Sequence, residues 1–236
     1  MRLHHIVGNT FYINYPSIVG VYKFTDNSCL LIDSGASRAF GLRTMKILAK
    51  HGLKVDSIIN THFHGDHSGG NQVIQEETKC HIYASKIDKV FLENPILCPY
   101  GIYSAYPIKP LQNKFLMQEA CLVNHTIEED TIRVNQETFQ IVNLSGHTLG
   151  QIGIITPDKV LFAGDAIISQ GYLRKFPFLY MANLDYQLAT IERLRDIACP
   201  YKVVSHGGLI DNWSETIAAN EEQIQITINI ILDFIK

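Results

Sequence analysis

The chain has no C-x-x-C pair, no basic run longer than Arg174-Lys175, and no uninterrupted apolar stretch of bilayer-spanning length. Each absence removes a class of protein. The five cysteines (Cys29, Cys80, Cys98, Cys121 and Cys199) are scattered and odd in number, which argues against a disulfide framework and against a thiolate zinc knuckle. Cys29 and Cys80 fall in strand-like runs, where a buried, inert thiol is expected. A formal charge of −3, from 20 basic and 23 acidic residues, gives no overall attraction to nucleic acid or acidic membranes. The opening Met1–Asn9 has no apolar h-region, so a cytoplasmic protein with no membrane partner is expected. What is present is core material: 46% of the residues are hydrophobic and 18% charged, which excludes a disordered chain. A length of 236 residues fits one large domain, 1–236, better than two small ones.

Period and punctuation suggest an α/β chain. Thr10–Asn14, Gly20–Phe24 and Cys29–Asp33 are β-branched and aromatic runs separated by Tyr15-Pro16 and Asp26-Asn27, and read as strands. From Arg38 to Lys50 apolar residues recur at helical spacing, and Gly52 is a natural stop. Asp56–Asn60 and Cys80–Ala84 are further strands, with a short helix near Asn71–Gln75 between them. At about 85–119 four prolines and a dense set of aromatics, among them Phe91, Tyr100 and Phe115, mark a partly helical flap insertion. Such a flap either carries function or only packs. Strands resume at Ala120–Asn124, Thr131–Val134, Phe139–Leu144, Gly153–Thr156 and Val160–Ala163. A helix over 183–197, a strand at Tyr201–Ser205 and a helix over Trp213–Ile235 complete the chain. That last helix carries isoleucines on two nearly opposite sides, which predicts burial on both, within the chain or, in a homodimer, against a partner subunit.

The densest chemistry lies in Thr61-His-Phe-His-Gly-Asp-His67, where His62, His64, Asp66 and His67 fall within six positions. It follows a buried strand, and Ser68-Gly69-Gly70 after it reads as the cap and first turn of a helix. Imidazole nitrogens with a carboxylate suit a borderline divalent metal such as zinc; a solvated histidine-rich loop has the same composition. Three more positions repeat the pattern of a metal-ligand type at a strand end beside small residues. These are His147 in Asn143-Leu-Ser-Gly-His147, Asp165 in Leu161-Phe-Ala-Gly-Asp165, and His206 in Val203-Val-Ser-His206. Residues at one end of several strands gather along a common sheet edge.

These segments, with Leu31-Ile-Asp33-Ser-Gly35 before them, resemble the ordered motifs of the metallo-β-lactamase superfamily over residues 30 to 208. The resemblance implies an αββα four-layer sandwich, two mixed sheets packed face to face with helices outside. It assigns His62, His64 and His147 to one metal, Asp66, His67 and His206 to a second, and Asp165 to a bridge, with Asp33 as structural support. Two divalent ions are implied, zinc before iron or manganese. The implied activity is a dinuclear hydrolase in which a metal-bridging hydroxide attacks a small ester, thioester or lactone. In that implied activity Asp66 could also orient the nucleophile and carry a proton to the leaving group.

Departures from the family patterns narrow this. Lactam-opening members usually carry Cys or Ser at the place of Asp165, and the flavin-linked diiron members have Glu at the place of His64, so both branches are disfavoured. Branches resembling glyoxalase II thioesterases, lactonases and small phosphodiesterases remain, and a mononuclear iron sulfur dioxygenase of the same fold is the alternative from another class. No match appears to the basic glutathione-binding residues of glyoxalase II. The segment Ser169–Tyr180 should overhang the site. There Arg174 or Lys175 could bind a substrate carboxylate or phosphate, and Tyr172 or Tyr180 could donate to an oxyanion; a solvated basic pair with packed aromatics is the other reading.

Overall fold

The computed structural model describes residues 1–112, 117–178 and 180–235; Phe115 of the flap lies outside them. Two sheets dominate. In the first, β1 (Leu3–Val7), β2 (Thr10–Ile13), β3 (Val19–Lys23) and β4 (Ser28–Ile32) run antiparallel. The same sheet continues in parallel through β5 (Lys54–Ile59), β6 (His81–Ser85) and β7 (His125–Ile127). The crossovers carry α1 (Arg38–Lys50), α2 (Gly65–Ser68), α3 (Asn71–Thr78), α4 (Lys86–Glu93) and α5 (Leu97–Tyr103). The second sheet holds β8 (Thr131–Val134), β9 (Glu137–Asn143), β10 (Ile152–Ile155), β11 (Val160–Phe162), β12 (Tyr201–Val204) and β13 (Gly208–Leu209). Its order is β13-β12-β11-β10-β9-β8, antiparallel except between β11 and β12. Two helices, α6 (Gln170–Leu173) and α7 (Leu184–Asp196), lie between β11 and β12, and α8 (Trp213–Ile235) follows β13.

The strand β4 shows why the layers form. Cys29, Leu30, Leu31 and Ile32 are all buried, and the two-residue period of a strand sends them to opposite faces. Cys29 and Leu31 pack outward with Leu48 of α1, Val73 and Ile74 of α3, and Leu92 of α4. Leu30 and Ile32 pack inward against Phe139, Ile154 and Phe162 of the second sheet. A third cluster joins the other face of that sheet, through Ile155, Leu161 and Val204, to Ile191 and Leu194 of α7 and Ile217 and Ile224 of α8. Three apolar seams between four layers make the expected αββα sandwich. Each large aliphatic side chain buried in a seam contributes about 1.5–3 kcal/mol.

Several local expectations are corrected. The alternating burial of Cys121 and Val123 imitates a strand, yet 120–124 is irregular. Its amides are taken elsewhere: Cys121 N–H donates to the Leu92 carbonyl at 3.2 Å, Leu122 N–H to Gln75 Oε1 at 3.0 Å and Asn124 N–H to the Ile82 carbonyl at 2.9 Å. The strand begins only at His125. Strand structure also starts earlier than Thr10, at Leu3. The helical turn in the histidine motif begins at Gly65 rather than Ser68, so Asp66 and His67 themselves are helical. Within the chain α8 is buried on one side only, through Thr216, Ile217, Asn220 and Ile224, while Ile226, Ile230 and Phe234 are exposed. All five cysteines are buried and unpaired, and burial pushes the Cys29 thiol up to about 12. No helix among the described residues is long and apolar enough to cross a membrane.

Candidate metal centre

The site is assembled from strand ends along one edge of the sandwich. His62 and His64 lie in the loop after β5, and Asp66 and His67 on α2. His147, Asp165 and His206 follow β9, β11 and β12. Tight turns set the last three. At Gly207, φ is +148° and a Cβ would come within 2.4 Å of Ser169 Cβ, so only glycine lets the chain leave His206 this way. Asp33, after β4, adopts φ +64°, an uncommon conformation for a residue with a side chain. Its carboxylate holds three groups together: the Thr61 amide at 2.8 Å, the Thr61 hydroxyl at 2.8 Å and His67 Nδ1 at 2.9 Å.

The seven side chains named from the sequence are brought together, in two groups. His62, His64 and His147 form one; Asp66, His67, Asp165 and His206 form the other, and within each group the candidate ligand atoms lie within 4.8 Å of one another. Asp165 Oδ2 connects the groups, 3.7 Å from His147 Nε2, 3.3 Å from His67 Nε2 and 3.2 Å from His206 Nε2. The imidazoles are oriented from behind. His147 Nδ1 donates to the Tyr180 carbonyl and His206 Nδ1 to the Pro16 carbonyl, each at 2.9 Å. The Thr61 hydroxyl spends its proton on Asp33 and so accepts from His62 Nδ1 at 3.0 Å. In His62, His67, His147 and His206 the proton on Nδ1 leaves Nε2 to face the centre. His64 presents Nδ1 instead, 2.9 Å from His147 Nε2.

The two groups differ electrostatically. Burial holds His62 and His147 below the ordinary imidazole range, and burial with the neighbouring His147 brings His64 down to about 3. These three are neutral, as ligands must be. In the second group burial opposes charge, but Asp165 overcomes it and lifts His67 well above its ordinary value and His206 to about 10. Reciprocally, burial raises Asp66 and Asp165, and the stronger pull of the two histidines leaves both carboxyls well below the usual range. A cation can replace those imidazolium protons. His62 Nε2 and Asp165 Oδ1 are also buried with no hydrogen-bond partner, a costly arrangement that an ion relieves. The donor set therefore fits divalent metal ions.

Of the four residues expected to meet substrate, Tyr172 and Tyr180 line the cleft beside the centre. Arg174 and Lys175 are exposed and do not line it. The turn of α6 that places Tyr172 over the cleft sends Arg174 toward α8, beside Ala219 and Glu222. The Tyr172 hydroxyl donates to the Pro16 carbonyl at 3.4 Å, so this residue offers the cleft its ring. In the sequence Tyr15-Pro16 reads as punctuation between strands. In fact Pro16 orients His206, and the Ser17 hydroxyl donates to the Asp66 carbonyl at 2.5 Å. No motif marks Asp88 of α4, whose carboxyl is buried behind the histidine motif, 1% exposed and with neither oxygen hydrogen-bonded.

The family model for the metallo-beta-lactamase superfamily matches residues 14–207. The chain belongs to that superfamily. Among its superfamily relatives, a hydroxyacylglutathione hydrolase of Vibrio cholerae is 25% identical over 86% of this chain and 66% of its own length. Hydroxyacylglutathione hydrolase 2 of Vibrio vulnificus is 28% identical over 64% of this chain and 47% of its own. A probable metallo-hydrolase of Methanocaldococcus jannaschii is 29% identical over 64% of this chain and 71% of its own. The chain thus spans about half the length of the first of the curated hydroxyacylglutathione hydrolases it matches. Superfamily structures share the fold: a subclass B3 metallo-beta-lactamase of Bradyrhizobium japonicum superposes with a TM-score of 0.76 at 17% identity, over 100% of this chain and 97% of that one.

Proposed function

We propose that the protein is a dinuclear metal-dependent hydrolase of small ester-type substrates. The observation that carries this reading is Asp165 Oδ2, which stands within 3.2–3.7 Å of imidazole nitrogens from both groups and so joins two sites of three other donors each. In this reading His62, His64 and His147 hold one ion, Asp66, His67 and His206 hold the other, and Asp165 serves both. Zinc suits such a mixture of imidazole and carboxylate. Bound there, divalent ions lower the pKa of a water to near neutrality and neutralise charge growing on a carbonyl oxygen.

The protein's own groups supply position and proton handling. Asp33, Thr61, Pro16 and Tyr180 fix the imidazole rings, so that little reorganisation is needed during reaction. Asp66 is the carboxylate on the open side, 39% exposed against 9% for Asp165. Ionised at the outset, its carboxylate can take a proton from the attacking water and pass it to the departing alkoxide or thiolate. The substrate of the glutathione-named relatives is not carried over, because neither Arg174 nor Lys175 lines the cleft.

The test is a metal-loaded screen of esters, thioesters, lactones and phosphodiesters with metal analysis. Two equivalents of metal and hydrolysis of at least one carboxylic class are expected. In Asp66→Ala turnover should fall by at least 100-fold, the scale of a lost general acid, with circular dichroism unchanged. One iron per chain with persulfide-dependent oxygen uptake would overturn the proposal.

A further inference from the structure

Two cavities open beside the centre, one on each side of Tyr180. The first, of about 370 Å³, reaches His147, Asp165 and His206 and is walled by Ile168, Tyr172, Phe176, Phe178 and Met181. The second, of about 250 Å³, reaches His147 alone of the seven and is walled by Phe63, Ile87, Phe91, Cys98 and Leu149. Tyr180 lines both. Its ring centroid stands 5.8 Å from those of His64 and His147, edge-on to each, and its carbonyl holds His147 Nδ1. The divider is therefore tied to the centre itself.

The walls are rigid where they meet the protein and open where they face the cleft. Phe63 stacks on Phe91 with centroids 4.2 Å apart, and Asn220 of α8 clamps both the N–H and the carbonyl of Ile168. By contrast Phe176 is 59% exposed and Phe178 67% exposed. Apolar rings left open beside a chemical centre gain by being covered. Among the described residues neither cavity is lined by a lysine, an arginine or a glutamate. A charged arm entering either one would shed water and meet no cationic side chain beyond the histidines of the centre itself.

We infer that the cleft takes an uncharged open-chain ester or thioester with an apolar arm on each side of the bond to be broken, and that Tyr180 sorts the two arms into separate cavities. This rests on the hydrolase reading above. Water adds across the acyl C–O or C–S bond; one arm leaves as a carboxylic acid, which ionises, and the other as an alcohol or thiol that takes up the second proton of the water. A lactone has both sides of that bond in one ring and fills one cavity only.

The experiment uses metal-loaded protein and four substrate sets. Aliphatic esters are lengthened methylene by methylene on the acyl side, then on the alcohol side. The third set carries a terminal carboxylate on either arm, and the fourth is unsubstituted five- and six-membered lactones. Each added methylene should raise kcat/KM about 4-fold along both arms until the cavity is filled, and a terminal carboxylate should lower it about 10- to 100-fold. Phe178→Ala should flatten the chain-length series of one arm and Ile87→Ala that of the other, with wild-type metal content in both. If both variants flatten the same arm, if carboxylated arms are preferred, or if lactones turn over faster than open-chain esters, the inference fails while the hydrolase reading stands. If no ester, thioester or lactone is hydrolysed, the hydrolase reading falls and this inference with it.

Discussion

Asp88 is the least expected buried carboxyl among the described residues. It lies on α4 behind the histidine motif, 1% exposed, with no hydrogen bond to either carboxylate oxygen. Burial, helped by the charge of Asp33 and only partly opposed by the facing Phe63 amide, pushes its carboxyl up to about 8. An unfolded aspartate titrates near 3.9. Between those values the folded protein holds one proton more than the unfolded chain. The sign is then set: stability falls as pH rises, by about 1.4 kcal/mol per pH unit from this group alone, and levels off above pH 8. From pH 5 to pH 7 that amounts to about 3 kcal/mol, a large share of a total of roughly 5–15 kcal/mol. Asp88→Asn removes the titration but adds amide hydrogens that need acceptors, at a cost of about 1–3 kcal/mol. The variant should therefore be the less stable protein at pH 5, and the difference should move in its favour by about 3 kcal/mol by pH 7. Urea unfolding followed by circular dichroism at pH 5, 6, 7 and 8 measures it, and every other titrating group cancels in the difference between the two proteins. A difference that stays constant over this range would show that Asp88 is already ionised in the fold, and would refute the reasoning.

Two further outcomes follow from the site. Metal uptake near pH 7 should release protons, because His67 and His206 are held protonated in the metal-free protein by Asp66 and Asp165. Apparent affinity should weaken as pH falls, and calorimetry in buffers of different ionisation enthalpy counts the protons; no release would place the metal elsewhere. Gly207→Ala should destabilise the protein by more than about 1 kcal/mol and lower its metal content, since the added Cβ meets Ser169 at 2.4 Å in a backbone conformation that alanine disfavours. Thermal melts and metal analysis check both, and an unchanged melt would mean that the turn relaxes freely.

Much of this was legible in the chain alone, and the reason is local. Strand β4 announces burial on both faces by four consecutive apolar residues, and the metal-ligand types stand at strand ends beside glycines that turn the chain. Sheet geometry then places strand ends along a common edge, so the convergence of His62, His147, Asp165 and His206 required no knowledge of distances. The false strand at 120–124 shows the limit of the same logic. Its alternating burial is real, but hydrogen bonding decides what is a strand, and its amides found Gln75, Leu92 and Ile82 instead of a ladder.

Tertiary structure alone decided the rest. A backbone carbonyl has no residue code, so the roles of Pro16 and Tyr180 in aiming two imidazoles could not be read from side-chain chemistry. Whether a basic residue meets substrate depends on which way one helical turn points, and the turn of α6 sends Tyr172 to the cleft and Arg174 toward α8. The charge state of Asp88 depends on what covers it, and the cover comes from segments far away in sequence. The amino acids determined which chemistry was available and which strand ends would carry it; the packing of two sheets against their helices decided what faces it.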